Sequence, residues 1–244
     1  MKAALLERLC RMASEPYRRA GRFAWHFARG KLAGDPAFAS LLEYGPIRDG
    51  AAVLDIGCGQ GLLAAWLDAA CTLAEQGDWP DDWPPPPRLA HYLGVELNPA
   101  EARRARLALA AATSRIVCAD MRELTLSPVD VVVLMDVMHY VAPADQRKLL
   151  ARAHAALRPD GILLLRVGDA GAGWRYRYSA LIDTLVCWLR HRRAMPLSGR
   201  TLAGWHTLLG ELGYAASPLQ SRGGPSFANH LLIARKTAGA AVHP

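Results

Sequence analysis

Short apolar runs, several of them closing on an acid, recur along this chain, and stretches with helical spacing separate them. Val53-Leu54-Asp55-Ile56 reads as a buried strand that runs straight into the turn Gly57-Cys58-Gly59-Gln60-Gly61, followed by the helix-like Leu62-Leu63-Ala64-Ala65-Trp66-Leu67. Tyr92 to Glu96 is a second strand, Ile116 to Ala119 a third closing at Asp120, Val129 to Met135 a fourth closing at Asp136, and Gly161 to Val167 a fifth. The spacing predicts a helix over Ala144 to Leu157, with Gln146, Arg147 and Arg152 outward and Leu149, Leu150, Ala153 and Leu157 inward. Another runs from Thr201, a capping residue, to Leu212, and Gly213 ends it. Two last strands span Tyr214 to Gln220 and Phe227 to Arg235. Alternation of this kind is the pattern of an α/β protein.

Three glycines at alternate positions let the backbone adopt conformations other residues avoid and approach a ligand closely. A tight strand-to-helix turn without a ligand gives the same bare pattern, and the context separates the two. Glu96, at the carboxyl end of the second strand, can accept hydrogen bonds from both hydroxyls of a ribose. It lies 35 residues beyond Gly61, against about 20 in many dinucleotide sites. The proline-rich stretch within residues 71–90, Asp78 to Pro87, supplies the excess and reads as an extended surface loop. A helix cap or a solvated turn accounts for any one of Asp55, Glu96, Asp120 and Asp136 alone. Four at one sheet edge predict a shared crevice, because ligands of open α/β sheets bind outside the carboxyl ends of the strands.

Composition adds limits. The chain of 244 residues is 52% hydrophobic, enough for a large core. No stretch approaches the roughly 18 apolar residues of a membrane span, and Met1 to Met12 lacks the apolar core of a signal peptide. Cys10, Cys58, Cys71, Cys118 and Cys187 show neither metal-ligand spacing nor a paired framework, so no metal is expected and reduced thiols in a cytoplasmic setting are. Net charge is +7, concentrated in residues 1–34 and 166–200. A solvated basic surface accounts for this as well as a partner does. Met1 to Ala13 reads as a basic amphipathic helix, with Leu5, Leu6, Leu9 and Met12 on one side and Lys2, Arg8 and Arg11 toward the other; Ser179 to Arg193 reads as a second. Both suit peripheral contact with a membrane surface, and equally a lid packed over a site.

The motifs together resemble the class I S-adenosylmethionine-dependent methyltransferases over about residues 50–170. Val53 to Gly61 is similar to their motif I, Gly94-Val95-Glu96-Leu97-Asn98-Pro99 to the ribose motif, Cys118-Ala119-Asp120-Met121 to the adenine motif, and Leu157-Arg158-Pro159-Asp160-Gly161 with the following Ile162 to Leu165 to the turn and fifth strand. The resemblance implies a Rossmann-like sheet of seven strands, mostly parallel, with the last antiparallel and helices on both faces. It also implies an N-terminal helical cap over residues 1–45, a methyltransferase domain over 46–236 carrying the insertion 71–90, a helical lid over 170–200 between strands five and six, and a frayed tail at 237–244. The implied cofactor is S-adenosyl-L-methionine, held by Asp55, Gly57, Cys58, Gly59, Gly61, Glu96, Leu97, Asp120, Met121 and Asp136, with the glycine turn against its amino-acid part and Asp120 on the adenine amino group.

The acceptor is read from departures. Met135-Asp136-Val137-Met138-His139-Tyr140 stands where many amino-group methyltransferases carry an Asn/Asp-Pro-Pro-Tyr/Phe motif, and no cysteine sits where pyrimidine C5 methylation needs its nucleophile. A small-molecule acceptor is expected, with His139 as general base for a phenol, or else as a structural histidine. Trp25, His26, Tyr140, Trp174 and Tyr176 are candidates for the substrate pocket, and ordinary packing accounts for most such rings. Residues 21–36, from Gly21 to Pro36, are also similar to methyltransferases of bacterial aryl polyene pigment clusters, which implies an aromatic head group on an acyl chain. An acidic carrier protein would then suit the basic flanks. An RNA methyltransferase that uses those flanks on the backbone is the alternative class.

Overall fold

The computed structural model describes residues 2–109, 113–172, 199–219 and 229–237. Its strands are β1 (Ala52–Ile56), β2 (His91–Glu96), β3 (Ser114–Cys118), β4 (Val129–Met135), β5 (Leu157–Gly168), β6 (Tyr214–Pro218) and β7 (Asn229–Lys236). They form one sheet in the order β3-β2-β1-β4-β5-β7-β6. The pairs β1–β2, β2–β3 and β4–β5 are parallel, and β7 runs antiparallel to both β5 and β6. This is the sheet that the order of motifs implies, with the last strand entering between the two before it. The described residues up to Leu124 form one compact unit and those from Thr125 onward a second.

In the first unit, α1 (Lys2–Ser14), a 3-10 turn (Glu15–Ala20), α2 (Arg22–Gly34) and α3 (Pro36–Tyr44) precede β1. Asp35 starts α3 by accepting the Ala37 amide, with Pro36 in the first turn, and left-handed Gly45 ends it. All five residues of β1 are buried, as a strand covered on both faces requires. The helix α4 (Leu62–Glu75) is buried at every position from Leu62 to Leu67, and its Trp66 indole donates to the Phe38 carbonyl at 2.9 Å. The helix α1 packs on α2 and α4 and buries Leu9, Cys10 and Ala13. Of the apolar side that could rest on a membrane, Leu9 is thus used inside the fold, while Leu5, Leu6 and Met12 stay half-buried.

The insertion begins later than its sequence reading. Residues 71–75 continue α4, because no breaker precedes Gly77, whose φ of 77° ends the helix. The remainder is anchored rather than free on the surface. Trp83 is buried and meets Trp79 edge-on at 5.7 Å. Arg8 binds Asp78 and Gln76, while Lys2 pairs with Asp82 at 2.9 Å and lies over the Trp83 ring.

In the second unit, β4 leads through a 3-10 turn (Met138–Tyr140) to α6 (Pro143–Ala156), and α7 (Leu202–Glu211) precedes β6. Thr201 caps α7 by accepting the Gly204 amide, as expected. Gln146, expected outward on α6, is fully buried instead. Two backbone carbonyls and an arginine satisfy its amide, which lets a polar residue enter the core. The expected helix Ser179 to Arg193, most of the lid 170–200, Trp174, Tyr176 and all but the first residue of the tail lie outside the described residues.

Candidate functional site

The glycine turn joins β1 to α4 in the first unit. Gly57, Gly59 and Gly61 have φ values of 74°, 55° and 73°, in the left-handed region where side chains cost energy. Two of them serve different ends. A Cβ on Gly61 would stand 2.5 Å from Leu109 Cδ1, so this glycine permits packing, whereas a Cβ on Gly59 would meet nothing within 4 Å. At Gly59 the backbone faces open space. The turn is stitched to β2 by the amides of Gly57 and Cys58, which both donate to the Val95 carbonyl at 2.7 and 3.1 Å. Gly94 on β2 has no room for a side chain, since its Cβ would stand 2.8 Å from Cys58 Sγ.

Glu96 is oriented by backbone alone. Its Oε2 accepts the Gly59 amide at 2.9 Å and its Oε1 accepts the Asn98 amide at 2.8 Å. Each carboxylate oxygen keeps a second acceptor direction for another donor. Asn98 then caps α5 (Pro99–Ala108) by accepting the amides of Ala100 and Glu101, which places the acid between a strand end and a helix start. Asp55 is buried, and its Oδ2 accepts the Tyr92 hydroxyl at 2.6 Å. Burial pushes its carboxyl up to about 7; the Tyr92 hydrogen bond opposes this and the Glu96 charge adds to it. Burial likewise pushes the Cys58 thiol up, so this cysteine is a neutral part of the turn and not a nucleophile.

Asp120 follows β3 in the same unit. Arg122 grips it: the guanidinium reaches both carboxylate oxygens at 2.6 to 3.1 Å, and the Arg122 amide donates to Oδ1 at 2.9 Å. These bonds hold the Asp120 carboxyl below its ordinary range. Beside this pair Met121 is half-buried. Leu97 is 61% exposed directly after Glu96, an apolar side chain with no place in the core. The Trp25 ring lies 4.2 Å from the Arg18 guanidinium and 5.6 Å from that of Arg29, and it meets the exposed His26 at 4.6 Å.

In the second unit, Asp136 ends β4 with φ 58°, a conformation that aspartate tolerates better than most residues. Arg166, across the β4–β5 ladder and itself buried, pairs with it at 3.1 Å. His139 and Tyr140 occupy the 3-10 turn that follows, their rings 4.0 Å apart. Gln146 fixes this turn by donating to the carbonyls of Met138 and Val141 at 3.0 and 3.1 Å, while its oxygen accepts from Arg200 at 2.8 Å.

Sequence reasoning did not single out Tyr17, Gln60, Tyr92, Arg122 and Gln146 for these sites. Tyr92 and Gln60 sat inside motifs read for their glycines and acids. Gln146 and Arg122 looked like ordinary surface residues, and Tyr17 precedes the first strand by more than thirty residues. Among the described residues no cluster of histidine, cysteine and acids could hold a metal ion.

Residues 54–163 match the family model described as "Methyltransferase domain". A carboxy-S-adenosyl-L-methionine synthase of Aliivibrio fischeri is 33% identical over 117 residues, which are 46% of this chain and 43% of that protein. The chain thus spans under half the length of this curated relative. Among solved structures, the mitomycin 7-O-methyltransferase MmcR aligns with a TM-score of 0.60 at 21% identity, over 91% of this chain and 60% of that one. A putative methyltransferase from Haloferax volcanii, solved in complex with the Trm112 methyltransferase activator, aligns with a TM-score of 0.62 at 14% identity, over 91% of this chain and 98% of the matched chain. Both likenesses are of fold. The matched residues 54–163 hold the glycine turn, Glu96 and Asp120, and the sheet continues beyond them into β6 and β7.

Proposed function

We propose that this chain binds S-adenosyl-L-methionine and transfers its methyl group to a small-molecule acceptor, a phenolic or acyl-linked aromatic. The observation that carries the reading is the open backbone at Gly59 beside a carboxylate whose oxygens are already aimed by two amides. Such a carboxylate suits ribose hydroxyls, and its uncompensated charge suits a cationic sulfonium nucleoside. A dinucleotide pyrophosphate would instead favour basic groups at the turn, and Gly57 to Gly61 carries none.

The bound cofactor supplies a carbon already activated for in-line displacement, so alignment and exclusion of water are the protein's main tasks. On this reading Glu96 holds the ribose, Asp120 and Met121 border the adenine beside Leu97, and the glycine turn takes the amino-acid end. As the acceptor oxygen or ring carbon forms its bond to the methyl group, His139 takes the displaced proton on a ring nitrogen. His139→Asn is then expected to lower turnover of a phenol about 10²-fold while leaving cofactor affinity unchanged. The similarity of the amino-terminal segment to aryl polyene cluster methyltransferases supports an acyl-linked aromatic, and an acidic carrier protein would present it to the basic flanks.

The relatives named as carboxy-S-adenosyl-L-methionine synthases favour a second reading, in which the cofactor itself is chemically altered. One set of measurements separates these. Calorimetry with S-adenosylmethionine, S-adenosylhomocysteine and NAD should give heat with the first two alone. Labelled methyl groups should enter small phenols or lipid extract; label in RNA would favour the alternative class, and a heavier cofactor in mass spectra the synthase reading. Heat with none of the three ligands would end the proposal.

A further inference from the structure

One surface of the first unit gathers arginines and aromatic rings that the candidate site does not use. The helix α2 buries Ala24, Ala28 and Leu32, which share one face, and so turns Arg22, His26 and Arg29 outward, all exposed. Phe23 stands beside this stripe, 57% exposed, its ring stacked nearly parallel to that of Phe27 at 6.2 Å. Arg104 of α5 lies over the Phe23 ring at 4.7 Å, as Arg18 and Arg29 lie over half-buried Trp25. The 3-10 turn before α2 adds exposed Arg19. That turn is pinned by fully buried Tyr17, whose hydroxyl donates to the Gln60 carbonyl at 2.8 Å, 43 residues along the chain.

Acids do not balance this charge. Glu15 pairs with Arg18 and Glu101 with Arg104, while Arg19, Arg22 and Arg29 pair with no acid among the described residues. An apolar ring left in water forfeits the gain of burial, and like charges crowded on one helix face repel. An occupant that is anionic at its surface and apolar beneath relieves both.

We propose that this stripe docks the protein on an anionic lipid surface. Phe23 enters the boundary between headgroups and acyl chains, and the guanidiniums of Arg19, Arg22 and Arg29 take lipid phosphates. Arginine suits the place, because its apolar stem lies along that boundary while its charged end stays among the headgroups. A nucleic acid offers the same phosphates, but its bases stack on open ring faces, and guanidiniums already lie over Phe23 and Trp25. An acidic protein would need carboxylates matched to fixed positions from Arg19 to Arg29, whereas a lipid surface presents phosphate everywhere. No described helix is long and apolar enough to cross a membrane, and this docking needs none. The docking face is thus α2 rather than α1, whose Leu9 is buried.

Vesicle binding is read without turnover, so the test stands apart from the methyl-transfer reading. The full chain would be sedimented at low salt with vesicles of phosphatidylglycerol and phosphatidylcholine in equal parts, and with phosphatidylcholine alone. It should bind the first and not the second, and high salt should release it. Arg19→Gln, Arg22→Gln and Arg29→Gln together should lower the affinity roughly 100-fold, at about fivefold per arginine. Phe23→Ser alone should lower it about tenfold, the worth of a partly buried ring. A control that removes the same charge elsewhere, Arg115→Gln with Lys148→Gln and Arg235→Gln, should stay within about threefold of the parent. Every substituted residue is exposed, and circular dichroism checks each fold; were the triple variant to unfold, Phe23→Ser and the control decide. No binding to the anionic vesicles overturns the proposal. So does a control as weak as the triple variant, or Phe23→Ser binding as tightly as the parent, since either leaves net charge alone at work. Binding to poly-glutamate or poly-uridine with none to vesicles also overturns it, and hands the stripe to an acidic protein or to nucleic acid.

Discussion

Glu96 and Asp136 each stand at the carboxyl end of a strand, and the two are held by opposite means. Two backbone amides orient Glu96, and among the described residues no cation pairs with it, whereas the buried Arg166 guanidinium pairs with Asp136, whose own backbone is left-handed. An acid aimed by amides keeps both its charge and its spare acceptor directions for a ligand. An acid paired with arginine keeps spare acceptor directions but has its charge offset. The lesson is that a carboxylate at a strand end gains a role from its partner rather than from its position, and Asp120, gripped by Arg122, lies between the two cases.

The sharpest way to break this contrast is to remove the amide-held acid. Glu96→Ala should lose two ribose hydrogen bonds to a charged acceptor and free the Gly59 amide, weakening S-adenosylmethionine about 100-fold or more by calorimetry; an unchanged affinity would erase the distinction. Next comes Asp55. Its folded pKa of about 7 exceeds the unfolded value of about 4, so between these pH values the folded chain holds a proton that the unfolded chain has released. Stability with respect to this group is fully present below about pH 4 and declines until about pH 7. Asp55→Asn should flatten that decline, on the order of 4 kcal/mol, in urea denaturation curves taken from pH 4 to 8.

A smaller effect is expected where the second unit relies on Gln146. Gln146→Leu leaves the carbonyls of Met138 and Val141 without their donor and should cost about 1–3 kcal/mol of stability, again by urea denaturation. The smallest belongs to Arg122, whose side chain is 64% exposed. Arg122→Ala frees the Asp120 carboxylate and should tighten S-adenosylmethionine by no more than about fivefold, the range of an exposed ion pair. Weakened binding would show instead that the guanidinium contacts the ligand.

The same contrast explains what could be read from sequence. Strands β1 and β4 were legible because their apolar runs are buried on both faces, and the turn was legible because its left-handed backbone demands glycine at Gly57, Gly59 and Gly61. Gln146 was misplaced because helical periodicity assigns polar residues outward, and only the carbonyls of a distant turn could call one in. Arg122 was passed over because an exposed arginine carries no pattern. Tyr17 was invisible for the same reason that contact order makes some pairings slow: its partner lies far along the chain. The first residues of the insertion were misjudged, because no breaker separates 71–75 from α4, and the prolines say nothing of the tryptophans Trp79 and Trp83 that anchor the loop after it.

Strand β7 enters the sheet between β5 and β6, although it follows both in sequence. During synthesis, β5 must therefore wait with an open edge of amides and carbonyls while α7 and β6 emerge, and β6 has no neighbour in the sheet until β7 arrives. An exposed edge is a template for pairing with another chain. Nascent or nicked protein that lacks Asn229 to Lys236 would thus seek that missing hydrogen-bond partner in other molecules, and aggregation would be its fate.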